Sequence, residues 1–217
     1  MRTRILLVDD HKIMREGLRG LLERRDDFEV VAEAETGRRA LELAKKLRPD
    51  IVIMDILMPD MNGIDATAQI MDEVSGIKII ALSMHSDKRY VLKMLRAGAQ
   101  GYLRKDCASE ELTTAIQTVL SDQIYISPQL RGFEVTGPIQ KSVFVNSLTS
   151  ALLSPKEREV LQLIAEGNST KQVAMHLGIA EKTVEKHRQR IIEKLDIHSI
   201  AELTKYAIRE GLTSAEG

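Results

Sequence analysis

The sequence predicts an α/β domain built on a five-stranded parallel sheet, followed by a separate all-α helix-turn-helix domain. Three observations carry that expectation. Short, nearly continuous apolar runs alternate with helical patterns as far as about Leu120. Pro128, Gly132, Gly137 and Pro138 then break the pattern, and beyond Ala151 every periodic stretch is helical. The expected boundaries are 1–120 for the α/β domain, 121–150 for a linker and 151–217 for the helical domain.

The apolar runs are Ile5–Val8, Phe28–Ala32, Ile51–Met54, Ile79–Leu82 and Gly101–Leu103. All but the second are almost unbroken, as expected of parallel strands covered by helices on both faces. Between the runs, Ile13, Met14, Gly17, Leu18, Leu21 and Leu22 mark one helical face. Ala40, Leu41, Ala44 and Leu47 mark a second, and Val91, Leu92, Met94 and Leu95 a third, with Gly98 where a helix needs a left-handed terminator. Repeated βα units with right-handed crossovers fit a flavodoxin-like sheet in the order 2-1-3-4-5.

In the helical part, Ser154-Pro155-Lys156-Glu157 is a capping box with proline at the first helical position, leading into Val160, Leu161, Leu163 and Ile164. Ser169-Thr170-Lys171-Gln172 opens a short helix that Gly178 stops. A longer helix from about Glu181 to Leu195 and a last one from about Ser199 to Glu210 complete the set. A short helix, a tight glycine-containing turn and a longer helix form a helix-turn-helix.

Composition excludes several classes. A net charge of -1 on 217 residues leaves bulk charge silent about nucleic acid or membrane, and 43% hydrophobic residues are too many for a disordered chain. The single Cys107 excludes an intramolecular disulfide and fits a reducing cytosol. No apolar run approaches the ~18 residues of a membrane span, and Met1-Arg2-Thr3-Arg4 passes straight into Ile5 without a signal-peptide core. A cytoplasmic location is expected. His11, His85, His176, His187 and His198 show no ligand spacing and read as caps, surface or packing residues.

The chemistry concentrates at one edge of the expected sheet. Strand 1 ends in Asp9-Asp10, strand 3 in Asp55 and strand 4 in Ser83, while strand 5 is followed by Lys105. Ligands of open parallel sheets bind beyond these carboxyl ends, at the switch in strand order. Three carboxylates this close resist joint ionisation, and a divalent cation relieves them. All-oxygen ligation with room for water and phosphate suits Mg²⁺. A carboxylate beside such a cation can attack a phosphoryl group, with Lys105 and Ser83 facing the phosphoryl oxygens. Asp55 is then the acceptor. Asp10 has an alternative reading as the cap of the first helix, and Asp60-Met61-Asn62-Gly63 reads as turn chemistry.

Residues 1 to about 120 resemble a CheY-like receiver domain. The matching stretches are Leu7-Val8-Asp9-Asp10-His11, Asp55-Ile56-Leu57-Met58-Pro59-Asp60-Met61-Asn62-Gly63, Ala81-Leu82-Ser83 and Gly98-Ala99-Gln100-Gly101-Tyr102-Leu103-Arg104-Lys105. The resemblance implies that Asp55 takes a phosphoryl group from the phosphohistidine of a sensor histidine kinase. It implies Mg²⁺ held by Asp10, Asp55 and the backbone carbonyl of Leu57, with Asp9 acting through water. It makes Ser83 and Tyr102 a switch pair, the hydroxyl moving toward the phosphate and the ring turning inward. Lys105 is followed by Asp106 where this family often has proline.

Residues Leu152 to about Leu212 resemble a LuxR-type helix-turn-helix of the NarL/FixJ kind, through Leu153-Ser154-Pro155-Lys156-Glu157-Arg158-Glu159-Val160-Leu161, Lys171-Gln172-Val173-Ala174, Leu177-Gly178-Ile179, Thr183-Val184, His187-Arg188 and Lys194-Leu195. Candidate contacts to double-stranded promoter DNA are Lys171 and, on the second helix of the motif, Lys182, Thr183, Glu185, Lys186, Arg188, Gln189 and Arg190. Ala180 stands where the family usually has serine or threonine, so a cap worth about 0.5–2 kcal/mol is missing. Glu185 stands where many members carry a lysine. The last helix commonly supports dimerisation, which suggests Ala201, Leu203, Tyr206, Ala207 and Ile208.

Together these features describe a two-component response regulator whose phosphorylation favours a homodimer on DNA, with RNA polymerase a candidate further partner. It is expected to accept a phosphoryl group and lose it slowly, not to turn over a substrate. An aspartyl phosphohydrolase would need a second aspartate where Leu57 stands. A regulator that ignores phosphorylation and uses its receiver only as a dimerisation surface is the alternative.

Overall fold

A computed structural model describes residues 2–84, 87–107, 109–130 and 152–214. The chain divides into two compact units. Most of the stretch expected to be a linker, including Val143-Phe144-Val145, lies outside the described residues.

The N-terminal unit is a parallel sheet of β1 (Thr3–Val8), β2 (Phe28–Ala34), β3 (Ile51–Asp55), β4 (Lys78–Ser83), β5 (Gly101–Arg104) and β6 (Tyr125–Ile126). Its helices are α1 (Lys12–Leu22), α2 (Gly37–Leu47), α3 (Gly63–Glu73), α4 (Lys88–Ala97) and α5 (Ser109–Leu120). The order β2-β1-β3-β4-β5-β6 preserves the expected arrangement and adds a strand at one edge, correcting the count from five to six. Two residues carry no readable period. The strand is held instead by backbone donation from Tyr125 to Gln100 at 2.9 Å and from Ser127 to Tyr102 at 2.9 Å.

β3 is buried at all five positions because it is central and covered on both faces. β2, at the opposite edge, turns Phe28 and Val30 inward with Glu29 exposed between them, which accounts for its less continuous run. The core joins Ile5, Leu7, Ile53, Ile80 and Leu103 from the sheet to Leu112, Ile116 and Val119 from α5. Thr36 caps α2, Asn62 caps α3 and Asp87 caps α4, while Gly98 ends α4 at φ 107. Asp10 does not cap α1. Its N-cap is His11, and no side chain makes a capping hydrogen bond there.

The C-terminal unit contains α6 (Pro155–Ala165), α7 (Thr170–Leu177), α8 (Glu181–Leu195) and α9 (Ile200–Glu210). Both sequence capping boxes form, at Ser154 with Glu157 and at Ser169 with Gln172. Ala180 supplies no side-chain cap to α8, as its methyl group dictates. Val160, Leu161, Val173, Val184, Ile191, Leu203 and Ala207 form the core. Leu203 and Ala207 therefore pack inside their own unit, which takes them out of the set suggested for dimer contacts; Ala201 is exposed.

Glu157 has a second task. Its Oε2 accepts from Ser154 N at 2.7 Å and from Lys194 Nζ at 2.7 Å, tying the start of α6 to the end of α8. Burial raises the Glu157 pKa, but Lys194 and Ser154 together outweigh it and hold the carboxyl below its ordinary 4.5. A carboxyl depressed on folding contributes stability that is complete above the unfolded value and is lost as pH falls through the lower folded value. The helical unit should therefore lose thermal stability as pH drops below about 4.5, and Glu157→Gln should flatten that slope. Melting followed by circular dichroism from pH 6 to 3 checks this; equal slopes for the two proteins would refute it.

Candidate functional site

Strand register brings the site together. Val8 pairs with Met54 and Asp55 with Leu82, so Asp9, Asp55 and Ser83 emerge side by side at the carboxyl edge of neighbouring strands. Beyond β5, Lys105 N donates to Ser83 O at 2.8 Å, which turns the lysine back over the sheet edge. Its Nζ lies 2.7 Å from Asp9 Oδ2 and 2.8 Å from Asp55 Oδ2. The Lys105 side chain is only 5% exposed. No cis peptide occurs among the described residues, the Lys105–Asp106 bond included.

The electrostatics follow from that enclosure. Burial pushes the Asp55 carboxyl up to about 6; Lys105 pulls it back and Asp9 adds to the rise. Burial also works against the charge on Lys105, but Asp55 and Asp9 outweigh it and keep the ammonium above its ordinary pKa. Asp55 Oδ1 accepts from Ile56 N at 2.7 Å, which orients the carboxylate. Asp10 is exposed, with its Oδ1 2.8 Å from His11 Nδ1.

Asp9, Asp10, His11 and Asp55 each offer a ligand atom, all within 4.8 Å of one another. Ionised, the three carboxylates against one ammonium leave a local charge of about -2, which a divalent cation would balance. The donor set thus fits Mg²⁺. Leu57 follows Asp55 by two residues and is half-buried, at the same strand end.

Ser83 is buried, and Tyr102 is fully buried beside it on the neighbouring strand. Burial pushes the Tyr102 phenol up to about 12, opposed in part by its hydrogen bond with Ser83. The switch pair implied by the resemblance is therefore in contact, with the ring inward.

Several residues escaped sequence reasoning. Gly63, taken for a turn, lies against the strand end: a Cβ there would sit 1.9 Å from the Asp55 carbonyl oxygen. Gly63 N also donates to Ile56 O at 2.8 Å, so the start of α3 buttresses the strand end that carries Asp55. Arg15 donates to the Asp9 carbonyl at 2.6 Å and to Glu33 on β2 at 3.1 Å, gripping the β1–α1 turn from behind. His11 joins the carboxylate cluster itself. An adjacent position carries no periodic spacing, so only its place after Asp9-Asp10 hinted at this.

In the helical unit, Lys182, Glu185, Lys186 and Gln189 recur at the three- and four-residue spacing that forms one exposed helix face. Thr183 and Arg190 are exposed beside them, Arg188 is half-buried, and Lys171 is exposed on α7. Gln189 donates to Glu193 at 3.1 Å. Lys194, near the end of the same helix, is held by Glu157.

A doubly covered parallel sheet with a carboxylate cluster at its switch edge, joined in one chain to a helix-turn-helix, is the architecture of a two-domain regulator. The chain belongs to the response-regulator receiver family: the profile "Response regulator receiver domain" matches residues 5–117, and "Bacterial regulatory proteins, luxR family" matches 151–207. It is thus a response regulator with a receiver and a LuxR-type DNA-binding domain. It is 36% identical over 212 residues to the response regulator UvrY of Escherichia coli, covering 98% of this chain and 96% of that one. It is 34% identical over 216 residues to the transcriptional regulatory protein MctR of Rhizobium johnstonii, covering 100% and 98%. A crystal structure of a LuxR-family two-component response regulator from Aurantimonas sp. SI85-9A1 matches with a TM-score of 0.58 and 41% identity, covering 60% of this chain and 93% of that one. Among the described residues, no helix is long and apolar enough to cross a membrane.

Proposed function

We propose that Asp55 accepts a phosphoryl group from the phosphohistidine of a sensor kinase in the cytoplasm, and that the resulting acyl phosphate controls DNA binding and transcription. A carboxylate oxygen of Asp55 attacks phosphorus, the P–N bond breaks, and its electron pair leaves with the kinase imidazole. Lys105 faces the equatorial oxygens, and the Ser83 hydroxyl donates to one of them. Mg²⁺, held by Asp9, Asp10, Asp55 and the Leu57 carbonyl, would neutralise charge on those oxygens. Asp9 and Asp10 are the groups that bring it there. The observation that carries this reading is the single ammonium shared by Asp9 and Asp55 at 2.7 and 2.8 Å inside a cluster with negative charge to spare.

Output runs through the switch pair. A Ser83 hydroxyl drawn to the phosphoryl group gives up its hydrogen bond with Tyr102, whose ring already lies inward, and this change shifts the receiver between two surfaces. One of them favours a homodimer, and paired helix-turn-helix units then meet paired half-sites with the first turns of α8 in the major groove. Lys171, Lys182, Lys186, Arg188 and Arg190 face phosphates or bases, and Thr183, Glu185 and Gln189 read base edges, Glu185 as an acceptor suited to the cytosine amino group. RNA polymerase is a further partner on this reading.

The test is DNA affinity of the full chain with and without a small-molecule phosphodonor plus Mg²⁺. Wild type should gain at least tenfold and Asp55→Asn should gain nothing. Equal gains in both proteins would overturn the proposal.

A further inference from the structure

We propose that His11 supplies a nitrogen ligand to the acidic pocket, so that this receiver takes up borderline divalent ions such as Zn²⁺ in competition with Mg²⁺. The inference rests on the reading that the pocket holds a divalent cation. It goes beyond that reading in making the site's selectivity depend on a residue outside the carboxylate set.

Three observations support it. First, His11 is neither a core residue nor a side-chain cap, and its ring turns to Asp9 and Asp10. The His11 side chain is 71% exposed, so it is no core residue, and it makes no capping hydrogen bond to α1 although it occupies the N-cap. Second, its backbone directs it to the pocket. His11 N donates to Asp9 Oδ1 at 2.9 Å, so the main chain folds back over the carboxylates. Third, the ring lies among the ligand atoms: Nδ1 is 2.8 Å from Asp10 Oδ1 and 3.2 Å from Asp9 Oδ1, within the 4.8 Å cluster that includes Asp55.

Chemistry gives the arrangement a direction. Carboxylate, carbonyl and water ligands suit Mg²⁺, whereas imidazole adds most for Zn²⁺, Co²⁺ and Ni²⁺. An ion bound through Nδ1 takes that nitrogen's lone pair, so a proton held there would have to move to Nε2 or to solvent. With His11 as an added ligand, such an ion would have one fewer coordination position left for a phosphoryl oxygen. Zn²⁺ should therefore inhibit phosphorylation of Asp55 by excluding the productive cation.

The experiment titrates the full chain with Mg²⁺, Zn²⁺ and Co²⁺ separately, for wild type, His11→Ala and His11→Gln, following heat and the visible absorption of Co²⁺. His11→Ala should lower Zn²⁺ affinity at least tenfold more than it lowers Mg²⁺ affinity, and should change the Co²⁺ spectrum. His11→Gln, which keeps a hydrogen-bond donor, should behave as His11→Ala. Recovery of Zn²⁺ affinity in the glutamine variant, equal losses for both ions, or no loss would overturn the proposal. Those results alongside normal Mg²⁺-dependent labelling of Asp55 would leave the phosphoacceptor reading intact. Absence of any Mg²⁺-dependent labelling in wild type would sink both.

Discussion

Lys105→Met should accept phosphoryl groups at least ~100-fold more slowly than wild type while binding Mg²⁺ more tightly. The two effects have opposite signs because one ammonium serves two tasks. As a preorganised cation near the equatorial oxygens it stabilises the transition state, and removing one such donor costs about 10²–10³ in rate. As a neighbour of Asp9 and Asp55 it also holds the place of positive charge, at 2.7 and 2.8 Å from their oxygens. Without it, the ionised cluster's charge grows from about -2 to about -3 and its attraction for a divalent cation rises. Labelling by a small-molecule phosphodonor on phosphate-affinity gels, together with Mg²⁺ titration, separates the two. A variant in which rate and Mg²⁺ affinity fall together would show that Lys105 acts only by holding the fold.

Gly63→Ala is the second substitution with a large expected effect, and it acts through backbone. The added Cβ would lie 1.9 Å from the Asp55 carbonyl oxygen and 3.1 Å from the Ile56 Cα. Neither atom belongs to a flexible side chain, so α3 or the end of β3 must move. Ordinary overpacking costs about 1–3 kcal/mol, and a collision between two backbone segments should reach or exceed the upper end of that range. The receiver transition in urea should shift to lower concentration, and phosphodonor labelling should fall because β3 carries Asp55, the proposed acceptor. Unchanged urea midpoints would mean that the close approach is not required.

Much of this was legible in the sequence because it is periodic or terminal. Ile51–Asp55 reads as a doubly covered strand from its unbroken apolar run, and its carboxylate then marks the functional edge. Ser154 and Ser169 announce their helices through residues three positions on. The sheet order follows from repeated βα units and brings Asp9, Asp55, Ser83 and Lys105 together across about a hundred residues. What escaped was partner choice at long range. Nothing local says that Lys194 would pair with Glu157 and leave the basic face of α8, or that Arg15 would reach the Asp9 carbonyl. The requirement for glycine at Gly63 comes from a strand that passes behind it, not from its own turn. β6 is two residues long, below any readable period. His11 has no ligand spacing to the other histidines, and its neighbours in the fold are the two aspartates beside it in sequence.

α1 starts without a side-chain cap and without an acidic residue in its first turn. Its opening amides have less to hold them than those of α2, α3 or α4, and the first turn should fray more readily. The fraying end is the segment that carries the Asp9-Asp10 pair into the pocket. An ion that draws these carboxylates together therefore also quiets the head of the helix, and occupancy becomes legible as a longer lifetime of its first turn.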